Sequence, residues 1–139
     1  MVKNSPKLQN EVPISFSVRF LAPEKPQSYI VAAQQNGKDR GRGWAIDASN
    51  RQIGFRFIGD NGQGIEARAA DASALVPGTW NELVATYDGS RNQTGMVLYL
   101  NGKPEMLAGL GARTAKLNGS IETDESIVLG KSSRGRRHL

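Results

Sequence analysis

The sequence predicts an all-β domain, an antiparallel sandwich or barrel of eight or nine short strands. Three observations carry that prediction. Apolar and polar residues alternate with a period of two over several short runs. No segment longer than about ten residues repeats its apolar positions every 3.6 residues, so very little helix is expected. Turn-forming pairs, Asn61-Gly62, Asp88-Gly89 and Asn101-Gly102, punctuate the runs in a chain that holds 16 glycines. At 139 residues the chain is one domain by length, large enough to bury about 68% of its unfolded surface.

The strands follow in order. Residues 14–20, ISFSVRF, set Ile14, Phe16, Val18 and Phe20 on one face and Ser15, Ser17 and Arg19 on the other, as in a half-buried strand. The two prolines of APEKP end it. SYIVAAQ (28–34) is the second strand, and a polar Gly/Arg loop leads to the third, WAIDA (44–48). QIGFRFI (52–58) and GIEARAA (64–70) flank GDNGQ, whose Asn61-Gly62 suits a tight hairpin that requires φ > 0. With Ile53, Phe55 and Phe57 facing the core, Gly54, Arg56 and Ile58 face outward. On the partner strand Ile65, Ala67 and Ala69 face in, leaving Glu66 and Arg68 out. Two registers fit, one with Arg56 opposite Glu66 and one with Arg56 opposite Arg68. Like-charge repulsion selects Arg56–Glu66.

WNELVATYD (80–88) and GMVLYLNG (95–102) are apolar at nearly every position, which marks central strands. KPEMLA (103–108) continues as a shorter strand after the Asn101-Gly102 turn, and IVLG (127–130) is the last. Between them GLGARTAKLNGSIETDE reads as loop with a short helical turn.

Composition removes several function classes. The sequence has no cysteine, which excludes disulfides, thiolate metal sites, a cysteine nucleophile and c-type haem attachment within it. No apolar run approaches the ~20 residues of a membrane helix, so no membrane insertion is expected. MVKNSPKLQN lacks an apolar h-region, so no signal peptide is expected in the chain as given. The net charge of +5 suggests a polyanion until it is located: Lys131, Arg134, Arg136 and Arg137 supply +4 of it. No aromatic stacking platform accompanies that charge, so no specific nucleic-acid partner is expected. Residues 1–11 are read as a flexible N-terminal segment, 12–134 as the folded domain, and 135–139 as a basic tail or truncated end.

One stretch is diagnostic. Trp80 follows Pro-Gly-Thr and leads a strand ending in Tyr87-Asp88-Gly89; a polar loop then precedes a strand ending in Tyr99-Leu100-Asn101-Gly102-Lys103. This resembles the signature of the laminin-G-like, concanavalin A-like jelly-roll domains. ISFSVRFLAP, SYIVAAQ and SIVLGKSS resemble the first, second and late strands of that family, so the resemblance covers roughly residues 12–134. It implies a two-sheet antiparallel jelly-roll sandwich. The run from RGWAIDA through GTWNELVATYDGS is similar to laminin-G-like inserts in large exported bacterial cytochrome-type surface proteins, which implies a periplasmic or extracellular parent. Family members continue after the late strand with a further strand that returns beside the first. Here RGRRHL stands in its place, so an edge strand is expected to be exposed, inviting an edge-strand dimer or another chain.

Four candidate chemistries follow. Jelly-roll relatives include glycoside hydrolases with Glu-x-Asp and a second Glu on one strand face. IETDESIV supplies Glu122 and Asp124, but Ser126 and Val128 occupy the following same-face positions. A degenerate or cryptic hydrolase is therefore the alternative reading, and no catalysis is expected. Some laminin-G-like domains hold calcium on rim loops, for which Asp60, Asn61 and Asp88 offer oxygen ligands; the same residues also serve as simple turn formers. His138 is the only histidine and the next-to-last residue of the sequence, which argues against a rigid triad or histidine metal cluster. Trp44, Arg56, Glu66 and Arg68 are the ligand-binding candidates, an aromatic with planar polar neighbours on an outward face; Trp44 beside Ile46 also suits a core position. Trp80 is expected to plug the end of the sandwich, its N–H finding a carbonyl, with Tyr87, Gly89, Tyr99, Asn101 and Gly102 as fold signature. The functional expectation is a non-catalytic recognition or structural module with a glycan or a neighbouring protein domain as partner and no cofactor beyond calcium.

Overall fold

The computed structural model describes residues 8–25, 28–108 and 116–130. Nine strands form two antiparallel sheets: β1 (Ile14–Leu21), β2 (Tyr29–Asn36), β3 (Arg42–Ser49), β4 (Gln52–Ile58), β5 (Gly64–Arg68), β6 (Trp80–Tyr87), β7 (Met96–Leu100), β8 (Lys103–Pro104) and β9 (Val128–Leu129). One sheet has the order β1-β6-β7-β8 and the other β5-β4-β3-β2-β9. Single turns of 3-10 helix, Ala72–Ala74 and Gln93–Gly95, are the helical elements among the described residues. The all-β, two-sheet jelly-roll expectation holds. The segment 109–115, part of the expected helical turn, and the basic end at 131–139 with His138 lie outside the described residues.

Alternation decides what each strand buries. Phe20, Leu83, Ala85, Tyr87, Met96, Leu98 and Leu100 from one sheet meet Trp44, Ile46, Ile53, Phe55, Phe57, Ile65 and Ala67 from the other. A ring ladder threads the interface. Trp44 packs on Phe16 with centroids 4.4 Å apart, Phe16 on Phe55 at 5.2 Å, Phe55 on Phe57 at 4.8 Å, and Phe57 on Tyr87 at 4.9 Å. These offset and edge contacts suit ring quadrupoles, and they cross between the sheets at Phe16 and again at Tyr87.

Turn chemistry sets the hairpins. Asn101 and Gly102 both have positive φ, 51° and 80°, and join Leu100 directly to Lys103, the two-residue turn that matches strand twist. In the β4–β5 hairpin Arg56 lies opposite Glu66, the register that charge selects.

Two expectations need correction. The strand expected at 103–108 ends at Pro104, which brings no N–H to a ladder. The chain then crosses to the other sheet: Ala70 N donates to Met106 O at 2.8 Å, Ala108 N donates to Arg68 O at 2.8 Å, and Leu107 bridges Ala69. Trp80, expected as a plug, is 64% exposed. The alternation of β6 sends Asn81, Leu83, Ala85 and Tyr87 inward and Trp80 outward. Asn81 closes that end instead. Its amide donates to Val76 O and Thr79 O and accepts from Val76 N and Asn101 Nδ2, all within 3.0 Å.

The Tyr29 hydroxyl is buried with no hydrogen-bond partner, and burial pushes its pKa up to about 12. An unpartnered buried hydroxyl gains nothing from folding. Tyr29→Phe is therefore expected to leave the Tm unchanged or raise it, whereas Phe55→Ala should cost about 3–5 kcal/mol. Thermal melts against pH give a further check. An unfolded phenol ionises near 10 and Tyr29 near 12, so wild-type stability should fall across that interval as the unfolded state loses protons first, and Tyr29→Phe should lose that component.

Candidate functional site

The outward sheet face proposed from sequence carries an ion-pair network. Trp44 does not belong to it. Its β3 neighbours Ile46 and Ala48 face inward, and Trp44 sits 4% exposed opposite Phe57, its Nε1 donating to Gln34 Oε1 at 3.2 Å. Asp47 takes the central place. Arg56 Nη1 lies 2.9 Å from Asp47 Oδ2, and Arg68 Nη2 lies 2.7 Å from Asp47 Oδ1 and 2.6 Å from Glu66 Oε1. Arg68 also donates from Nη1 to Gln52 O at 2.9 Å. Gly54, paired with Arg68, makes this reach possible: a Cβ there would stand 2.6 Å from the guanidinium carbon. Burial opposes the charge on Arg68, but Asp47 and then Glu66 outweigh it and hold its pKa above the usual value. The tetrad is neutral and its members bond one another.

The calcium candidates accept from backbone N–H groups, Asn61 and Asp88 within local turns and Asp60 from a distant segment. Asp60 Oδ1 accepts from Ser120 N at 3.2 Å and Asn61 Oδ1 from Gln63 N at 3.0 Å. Asp88 Oδ1 accepts from Ser90 N at 2.8 Å, and hydrogen bonds from the Ser90 side chain and backbone hold its pKa below the usual carboxylate range. Among the described residues no group of three or more His, Cys, Asp and Glu side chains converges as a metal site would require.

A different feature emerges at the rim where β6 ends. Tyr87, the last residue of β6, turns inward with its ring against Phe57 and its hydroxyl toward the rim. That hydroxyl donates to Asn10 O at 2.5 Å and accepts from Arg91 N at 2.8 Å. Burial pushes the phenol's pKa above its usual value. Asn10, 5% exposed, donates from Nδ2 to Gly119 O at 2.6 Å and accepts from Ile121 N at 3.1 Å. Segments far apart in sequence, 9–11, 87–92 and 117–122, are thereby tied to one phenol.

Between them lies a recess of about 410 Å³ lined by Gln9, Asn10, Glu11, Arg91, Asn118, Ser120 and Glu122. Every lining residue is polar or charged. Arg91 has φ 62°, an uncommon conformation for a residue with a side chain and one that needs surrounding structure to hold it. Its guanidinium is placed by an ion pair with Glu11 and a long contact to Leu117 O at 3.4 Å. Gly89 is required alongside, because its φ is 81° and a Cβ would stand 2.6 Å from Glu11 O. Of the pair considered for hydrolysis, Glu122 lines the recess and Asp124 does not. Six of the seven lining residues were missed by sequence reasoning. The turn sequence Asp88-Gly89-Ser90-Arg91 was the one local hint, and it said nothing of what Arg91 would meet.

A family model described as the concanavalin A-like lectin/glucanases superfamily, laminin G type, matches residues 2–139. The chain belongs to that superfamily. No curated protein sequence matches it. Its structure is similar to the binding domain of Paraclostridial Mosquitocidal Protein 1 (TM-score 0.65, 13% identity, 87% of this chain and 30% of that one). It is also similar to domains LG4-5 of the mouse laminin alpha1 chain (0.63, 17%, 96% and 32%). A third similar structure is the CBM40 of the Ruminococcus gnavus IT-sialidase bound to alpha2,3 sialyllactose (0.61, 14%, 89% and 66%). The chain spans about a third of the length of the first two and 66% of the third. At these identities the likeness is one of fold.

The superfamily signature is distributed by function. Tyr87 anchors the rim recess, Asp88 and Gly89 shape the turn beside it, and Asn101-Gly102 closes the β7–β8 hairpin. Trp80 and Tyr99 instead stand on the outer face of the four-stranded sheet. Tyr87→Phe removes one donor and one acceptor from the rim while keeping the ring packed. It should cost about 1–3 kcal/mol, the range for stranding buried partners. Amide exchange should accelerate at Arg91 and Ile121 more than in β3 and β4; uniform acceleration would argue that Tyr87 does not organise the recess.

Proposed function

We propose that this domain is a non-catalytic recognition module whose rim recess holds a hydroxyl-rich ligand, a glycan. The observation that carries the reading is the uniform polarity of a preformed recess of about 410 Å³. That volume falls within the range of small-ligand sites. Sugars offer hydroxyls that donate and accept together, and the lining answers with both: the Gln9, Asn10 and Asn118 amides, the Ser120 hydroxyl, the Arg91 guanidinium and two carboxylates. Their supports are fixed before binding, which lowers the ordering cost of recognition. The sialyllactose-bound CBM40 of similar fold supports the ligand class.

The carboxylates are poorly arranged for hydrolysis. Glu11 is paired with Arg91, and the lining lacks the apolar wall that keeps a general acid protonated. The module is read as part of a larger exported bacterial protein, on the resemblance of the run from RGWAIDA to YDGS to laminin-G-like inserts in such proteins.

Glycan-array screening of the domain, followed by calorimetry on the best hits, tests this. Arg91→Ala and Glu122→Gln are expected to weaken binding at least tenfold, about 1.4 kcal/mol. Arg56→Ala on the sheet face should leave it unchanged. Absence of binding by folded protein across the array sinks the glycan reading. Release of reducing sugar that disappears in Glu122→Gln overturns the non-catalytic one.

A further inference from the structure

The sequence holds four Asn-Gly pairs, Asn36-Gly37, Asn61-Gly62, Asn101-Gly102 and Asn118-Gly119. In this dipeptide an asparagine amide is most open to attack by its own backbone, because the following residue carries no side chain to hinder its nitrogen. The attack needs a side chain free to swing over the next peptide and an N–H there that is free to approach. Three pairs are withheld from it. Asn36 Oδ1 accepts from Lys38 N at 3.0 Å and from Asp39 N at 3.2 Å. Asn61 Oδ1 accepts from Gln63 N at 3.0 Å, and Gly62 N donates to Gly59 O at 2.9 Å. The Asn101 amide is held at both atoms, Nδ2 donating to Asn81 Oδ1 at 3.0 Å and Oδ1 accepting from Glu82 N at 2.9 Å.

Asn118 differs. It is exposed on the wall of the rim recess, in a stretch outside any strand, with Gly119 at a bend. Among the described residues neither its side-chain amide nor Gly119 N makes a hydrogen bond. Packing dictates the glycine: a Cβ there would stand 2.5 Å from Asp60 Oδ1 and 2.7 Å from Asn61 Oδ1. The fold thus supplies an unhindered nucleophile and leaves the electrophile loose beside it. We propose that Asn118-Gly119 is a self-modification site, at which deamidation changes the charge of the recess and slackens its rim.

Gly119 N, on losing its proton to solvent base, attacks Asn118 Cγ. The new N–Cγ bond closes a succinimide ring, and the Cγ–Nδ2 bond breaks to release ammonia, which carries the proton away. Water then opens the ring. Addition at Cγ gives aspartate; addition at the main-chain carbonyl carbon of Asn118 gives isoaspartate, with the backbone lengthened through the side chain. Either product adds a carboxylate to a lining that already holds Glu11, paired with Arg91, and Glu122. Isoaspartate also displaces the carbonyl that follows. Gly119 O accepts from Asn10 Nδ2 at 2.6 Å, and Asn10 Oδ1 accepts from Ile121 N at 3.1 Å, so these rim hydrogen bonds loosen. Ligand binding weakens with them, a consequence that rests on the reading of the recess as a glycan site.

The full chain, held folded in mildly alkaline buffer, is digested at intervals and its Asn-Gly peptides are followed by mass spectrometry. Asn118 should convert roughly tenfold faster than Asn36, Asn61 and Asn101, whose hydrogen bonds must first open locally. In denaturant the rates should converge, since every pair then has the same local chemistry. Amide exchange at Ile121 should accelerate in the aged protein and not in aged Asn118→Gln, whose longer side chain cyclises far more slowly. Conversion of another pair first in the folded chain overturns the proposal, as does an Asn118 that persists while the denatured control converts. Glycan binding equal in fresh and aged protein overturns the consequence for the ligand. Fresh protein that binds no glycan overturns the reading of the recess, and conversion at Asn118 then stands by itself.

Discussion

The aromatic ladder from Trp44 through Phe16, Phe55 and Phe57 to Tyr87 is the contact on which the rest depends. It fixes how the two sheets face each other, because Phe16 and Tyr87 come from one sheet and the other rings from its partner. Five large rings in a chain also concentrate apolar burial, on the order of 150–250 Å² each, along one line through the domain. The ladder ends at a hydroxyl. Tyr87 is buried against Phe57 on one side and offers its oxygen to Asn10 and Arg91 on the other. The geometry of the rim recess is thus inherited from core packing rather than set by the loops themselves.

Polarity is divided between groups that pair within the fold and groups that line open volume. On the five-stranded sheet Asp47, Arg56, Glu66 and Arg68 neutralise one another, and Gly54 gives Arg68 the room to do so. At the Trp80 end Asn81 spends its amide on Val76, Thr79 and Asn101. In the rim recess, by contrast, the fixed backbone leaves amides, a hydroxyl and carboxylates lining open volume. The apolar counterpart is the cleft beside β1, where the two sheets separate and Trp80 stands at the lip. One polar recess and one apolar cleft thus lie at separate places on the domain.

Much of this was legible in the residues. Alternation placed Ile14 to Phe20, Ile53 to Phe57 and Ile65 to Ala67 with the correct face inward, since a period of two admits only that face or its opposite. Asn61-Gly62 and Asn101-Gly102 both marked hairpins, but only Asn101-Gly102 is the tight two-residue turn with positive φ at both positions; the β4–β5 connection expected to be tight is a loop over 59–63 in which Gly62 alone takes positive φ. Charge repulsion selected the Arg56–Glu66 register from local information alone. The recess was not legible. Its walls come from 9–11, 91 and 118–122, and no periodicity relates residues brought together by a loop crossing the end of a sandwich.

The two tryptophans state the division most plainly. By itself the sequence determined that this is a two-sheet β domain with Trp80, Tyr87 and Asn101-Gly102 in its signature, because strand periodicity, turn propensity and that motif are local properties. It also required Trp44 and Trp80 each to choose a face. Tertiary structure made the choice, burying Trp44 against Phe16 and exposing Trp80. The reason is physical: a strand's alternation fixes which residues share a face, but only the partner sheet decides which face is the inside. The same holds for Asp47 and Arg91, ordinary charges in sequence whose partners exist only once β3 lies beside β4 and the rim is closed.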